Sequence, residues 1–174
     1  MSNIRFFLPC VLLLCSVAPA TASDSDIDRA SLKGLTGVFV LVEDLNPAEE
    51  QAGLKTADIQ ADAVQQLQAA GIPLLSKEQD IQAPGMPTLY INVSVASSTA
   101  TDQWPFSIDV NLEQQATLKR NPDTFVPTAI TWHVGSLGSV DKSNIRSVRD
   151  RLHEQIAKFV NAYKKVNMTQ LSPK

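Results

Sequence analysis

The chain has 174 residues, 44% of them apolar, with 15 Lys and Arg against 18 Asp and Glu and a formal net charge of −3 at pH 7. That length suits one domain with its own core, and the acidic balance argues against nucleic acid or another polyphosphate as partner. With only two histidines, a histidine-rich metal site is excluded, and no cofactor is expected.

Arg5 precedes an apolar run at residues 6–17, which closes with Ala20-Thr21-Ala22. A positive charge, a short apolar core and small residues at the minus-three and minus-one positions read as an export signal. The run is too short to remain as a bilayer span. The cut is expected after Ala22, which divides the chain into a signal peptide (1–22), a polar leader (23–33), a single α+β domain (34–167) and a tail (168–174). Lipidation is disfavoured because Cys15 follows Leu14 and Cys10 follows Pro9 instead of a small residue. Two overlapping cleavage sites, 18–20 and 20–22, argue against an uncleaved anchor. Both cysteines leave with the signal. A secreted domain without thiols fits a bacterial periplasm, read as that of a Gram-negative source, better than an animal secretory pathway, and there the sequons at Asn92 and Asn167 are incidental.

The leader at 23–33 is expected to fray or lie on the surface. Its alternating Asp24, Asp26 and Asp28 start like a calcium loop, but Arg29 stands where glycine is needed and Leu35 where glutamate is needed. Residues 37–42 form a continuous apolar run that reads as an interior strand. Over 54–70, Leu54, Ala57, Ala61, Val64 and Leu67 draw one helical stripe, with Gln60, Asp62, Gln66 and Gln68 facing away, and Gly71 and Pro73 stop the helix. Residues 72–76 read as a second strand, parallel to the first through a right-handed crossover. Strict alternation then predicts three more strands: 89–95, 106–113 and 126–134, closed as hairpins by loops at 97–104 and 119–125. A last helix over 144–166 is predicted from Ile145, Val148, Leu152, Ile156, Phe159, Tyr163 and Val166, with Ser143 as cap and Lys164-Lys165 suiting the helix dipole. Two striped helices and a sheet with one apolar face predict a two-layer α+β sandwich. Its five-stranded mixed sheet, in the order β-α-β-β-β-β-α, carries both helices on one side.

No residue pattern rises to a catalytic motif. Residues 135–139 lack the strand-to-helix spacing of a hydrolase elbow, and Lys142-Ser143 lacks the glycine of a phosphate loop because Asp141 occupies that place. The basic cluster Arg146, Arg149 and Arg151 sits beside Asp150 and Glu154 and reads as a solvated helix face, and His153 as a partly exposed helix histidine. His133 falls on the polar face of the last strand, near Asn111, with Tyr90 or Asn92 a strand further. That row could bind a polar ligand, although a plain solvated sheet presents the same residues. On the first strand, Phe39 and Leu41 face the polar side, so either the leader around Ile27 and Leu32 covers them or another protein does. Trp104-Pro105-Phe106 offers a second aromatic edge, with Phe106 assigned to the core.

Residues 37–45, 70–75, 89–93 and 131–135 together resemble uncharacterised exported bacterial proteins of this size. The element order is also similar to TolB amino-terminal modules and to curli-secretion and penicillin-binding-protein-activator lipoproteins. Export together with the missing catalytic motif, and not that likeness in element order, leads to the expectation of a periplasmic, non-enzymatic binding or assembly module whose partner is an envelope protein or cell-wall component, with no permanent membrane span. Its candidate surface is Phe39, Leu41, Tyr90, Asn92, Asp109, Asn111 and His133. The alternative expectation is a small-ligand binder or hydrolase centred on His133 with Asn111 and Asp109.

Overall fold

The computed structural model describes residues 24–167; the expected export signal and the 168–174 tail lie outside the described residues. The described part of the leader, 24–33, lies largely on the surface, as one of the two expectations has it, but in a regular conformation. It forms α1 (Asp26–Ala30), where the Ser25 hydroxyl and the Asp28 carboxylate accept from each other's backbone amides as a capping box. Asp24 accepts from Arg29 Nε and Nη2 at 2.7 and 2.6 Å and from Trp132 Nε1 at 3.0 Å. Burial works against the charge, but these donors hold the Asp24 carboxyl below its ordinary range. Leu32 is fully buried, and Asn167 Nδ2 donates to its carbonyl at 2.9 Å. The leader's buried leucine is therefore committed beside Asn167, and it does not cover Leu41, which is 43% exposed.

Four strands lie in sequence order across the sheet: β1 (Phe39–Val42), β2 (Thr88–Val95), β3 (Gln103–Leu118) and β4 (Asn121–Asp141). The first pair is parallel and the other two are antiparallel. The protein is thus α+β with a four-stranded mixed sheet, a correction to the five strands expected. Residues 72–76 contract to one parallel bridge between Val38 and Leu74. Pro73 has no N–H with which to extend a ladder, and Ser76 already caps the next helix. Gly37 permits the close approach, because a Cβ there would sit 2.8 Å from the Pro73 carbonyl oxygen.

Between β1 and β2 run α2 (Pro47–Gln51), α3 (Thr56–Ala69) and α4 (Lys77–Gln82), and α5 (Ser147–Asn167) ends the described chain. The α3 terminus matches expectation. Gly71 takes φ +76°, its N–H donates to Gln68 O at 2.9 Å, and Ile72 N–H donates to Leu67 O at 3.0 Å, a Schellman closure. The stripe of α3 is shifted, however. Ile59, Ala63 and Leu67 are buried, whereas Ala57 and Ala61 are exposed. Polar residues expected to face away turn inward instead: Gln60 Nε2 donates to Val40 O at 3.2 Å and Gln66 Nε2 to His153 O at 3.0 Å. Asp62 accepts a two-pronged bond from Arg149 at 2.7 and 2.8 Å. Inward polar bonds thus set the helix phase that apolar letters alone misplace.

The second hairpin is longer than predicted. β3 and β4 meet at a two-residue turn, Lys119-Arg120, with irregular register on the way. Pairing with β2 stops at Glu113, so residues 116–126 project as a two-stranded ribbon. β4 leads through a 3-10 turn (Lys142–Asn144), capped by Asp141 in place of a Ser143 cap on the helix itself. α5 buries Val148, Leu152, Ile156, Phe159 and Tyr163, the stripe read from the sequence. Trp104 and Phe106 are both buried, so no aromatic edge exists there; Gly138 makes room for Phe106, whose ring a Cβ would meet at 2.8 Å. Among the described residues, no helix is long and apolar enough to cross a membrane.

Candidate functional site

Strand alternation places one set of side chains on the sheet face opposite the apolar core. Register aligns them in rows: Phe39, Thr88, Glu113 and Ile130; then Leu41, Tyr90, Asn111 and His133; then Asn92, Asp109 and Gly135; then Ser94, Ser107 and Leu137. All seven residues singled out from the sequence lie on this face. His133 is opposite Asn111, and Asn111 is opposite Tyr90.

The face divides into a self-satisfied half and an unpaired half. Glu43, which sequence reasoning missed, follows β1 with the parity of Phe39 and Leu41 and accepts from the Tyr90 hydroxyl and the Asn92 amide. These bonds hold the Glu43 carboxyl below its ordinary range and push the Tyr90 hydroxyl up. The side chains of Asp109, Asn111 and His133 have no hydrogen-bond or ion-pair partner among the described residues. Gly135 leaves room for Asp109, since a Cβ would lie 2.9 Å from its Oδ1. Burial pushes the Glu113 carboxyl up. Leu41, Ile130 and Leu137 are 43%, 59% and 86% exposed.

This is an open surface able to donate and accept hydrogen bonds and to make apolar contact. No carboxylate bonds His133 among the described residues. Among the described residues, no cluster of three His, Cys, Asp or Glu side chains could hold a metal ion. A separate cleft of about 300 Å³ beside α5 is lined by Asp62, Arg146, Arg149, Asp150 and His153. Its Arg149 is committed to Asp62 and Asp58, so this arginine belongs to an interhelix ion pair and not to the purely solvated face expected. His153 is half exposed and 3.8 Å from Asp62.

At one end of the open face, Asp80 on α4 accepts from the Thr88 hydroxyl at 3.3 Å. Asp80 is 5% exposed, and its Oδ1 has no hydrogen-bond partner among the described residues. Burial pushes this carboxyl above its ordinary value. The stability it contributes is fully present below the unfolded carboxylate range and is lost as pH rises through the raised folded value. Asp80→Asn should therefore be more stable than wild type at pH 7, by about 1 kcal/mol, with no gain near pH 3. Urea melts at the two pH values check this, and an equal effect at both would contradict it.

No protein-family model matches the chain, and no curated protein is significantly similar to it.

Proposed function

We propose that this protein is an exported, periplasmic, non-enzymatic binding or assembly module of the bacterial envelope, and that it engages its partner through the open sheet face. The observation carrying this reading is the exposed apolar surface of Leu41, Ile130 and Leu137 on the same sheet face as three polar side chains that have no partners among the described residues. Export draws on the charge, apolar run and small residues at the amino terminus. A two-layer arrangement supports the role by leaving one sheet face free. Its support is that α3 contacts β1 and α5, while α5 contacts β3 and β4.

The test is site-specific photo-crosslinking in envelope extracts, with the probe at Leu41 or Asn111 on the face and at Glu154 on α5. Adducts from the two face positions alone, abolished by Leu137→Asp, are expected. Adducts independent of position would overturn the reading.

The unpaired trio also favours a second reading, a small-ligand binder or hydrolase centred on His133 with Asp109 and Asn111. If His133→Ala leaves every ligand-binding and hydrolysis measurement unchanged, this second reading is excluded.

A further inference from the structure

We propose that the open sheet face receives an extended partner segment that is both basic and apolar, with its cations seated on Asp109 and Glu113. This rests on the binding reading above and adds the chemistry of the partner. No Lys or Arg stands at any position of the four cross-strand rows. The face carries Glu43, Asp109 and Glu113, so it presents negative charge over an area without a compensating cation among the described residues. Such a surface steers a cationic partner toward itself and rejects an anionic polymer.

Glu43 is taken up by Tyr90 and Asn92. Asp109 and Glu113 have no side-chain partners among the described residues. Spacing then defines the ligand. The two carboxylates are four residues apart on β3, about 14 Å along an extended strand. One metal ion or one small amine cannot reach both. An extended segment with Lys or Arg at two positions four residues apart matches, because such side chains project from the same side at that interval. Asn111 lies midway and its side chain has no partner among the described residues, while the exposed Ile130 pairs with Glu113 and the exposed Leu137 with Ser107, two residues from Asp109, so apolar contact is offered toward both ends.

The probe is a fluorescein-labelled nonapeptide with lysine at positions 3 and 7 and leucine at position 5, compared with a twin carrying glutamate in place of lysine. Anisotropy should show saturable binding of the lysine peptide alone, weakening as salt rises from about 20 to about 300 mM. The near-isosteric double variant Asp109→Asn/Glu113→Gln should weaken it by about tenfold or more, and Asn111→Lys should do likewise. The off-face pair Glu50→Gln/Glu154→Gln should change it less than about twofold. Circular dichroism melts verify that each variant is folded.

Absence of binding, binding of the glutamate twin, or equal weakening by the off-face pair would overturn the proposal. So would light scattering that shows a wild-type dimer lost in Lys119→Glu/Arg120→Glu, because the occupant would then be the ribbon tip of a second copy. If the peptide fails while face-specific crosslinking persists, the partner class falls and the binding reading stands. If crosslinking fails while the peptide binds, the envelope reading falls alone.

Discussion

Trp132→Ala should destabilise the protein by about 3–5 kcal/mol and lower the melting temperature by about 8 °C or more. The indole is 1% exposed, meets Phe159 edge-on with centroids 5.2 Å apart, and pairs in register with Leu112. Its Nε1 also donates to Asp24. One side chain therefore joins the leader, the sheet and α5, and truncation removes packing from all three. Trp132→Phe separates the contributions by keeping most of the volume and losing the N–H. It should cost about 1 kcal/mol for that hydrogen bond and selectively lower amide protection in α1. A loss below about 1.5 kcal/mol for the alanine variant would show that the ring is not central to the core.

Glu49→Ala should have the next largest effect, about 2–4 kcal/mol. Glu49 is 3% exposed although it belongs to a five-residue helix. One carboxylate oxygen accepts from Asn46 N–H at 2.7 Å and closes the α2 capping box, while the other accepts from Val95 N–H at 2.7 Å. The side chain thus ties a short helix to the last residue of β2. Alanine leaves two backbone donors without this acceptor, one of them at a buried strand position, and each such donor costs about 1–3 kcal/mol. Glu49→Gln, which keeps volume and one acceptor oxygen, should fall between wild type and alanine in chemical denaturation. A neutral alanine variant would mean that water replaces the carboxylate at both amides.

These two residues also mark where the sequence is readable and where it is not. α5 was legible because Val148, Leu152, Ile156, Phe159 and Tyr163 recur at helical steps over many turns. The row from Tyr90 through Asn111 to His133 was legible because period-two alternation, closed by hairpins, fixes both face and neighbours. Short helices escaped, since five or six residues carry no measurable period. Their signals lay in the pairs Ser25 with Asp28, Asn46 with Glu49 and Ser76 with Gln79, each an amide-exchanging cap. The phase of α3 was lost because Gln60, Asp62 and Gln66 spend their polarity on neighbours instead of on water. On the candidate surface, Glu43 was missed because it lies one residue past the apolar run; extending the parity of Phe39 and Leu41 by one step finds it. The unpaired state of Asp109, Asn111 and His133 depends on what surrounds them in three dimensions, which no spacing reveals.

The ribbon at 116–126 gives the sheet a margin of uneven cohesion. Each of its strands has a single neighbour, held by pairs such as Ala116 with Val126 and Thr117 with Phe125, so its outward amides turn to water. A two-stranded piece of this kind opens at far lower free energy than a sheet interior. Fraying from Lys119-Arg120 should halt at Gln115, whose N–H donates to Gly85 O at 2.7 Å, just before Glu113 gains β2 as a second neighbour. The tip is consequently the place where added residues or a reporter group would disturb the least.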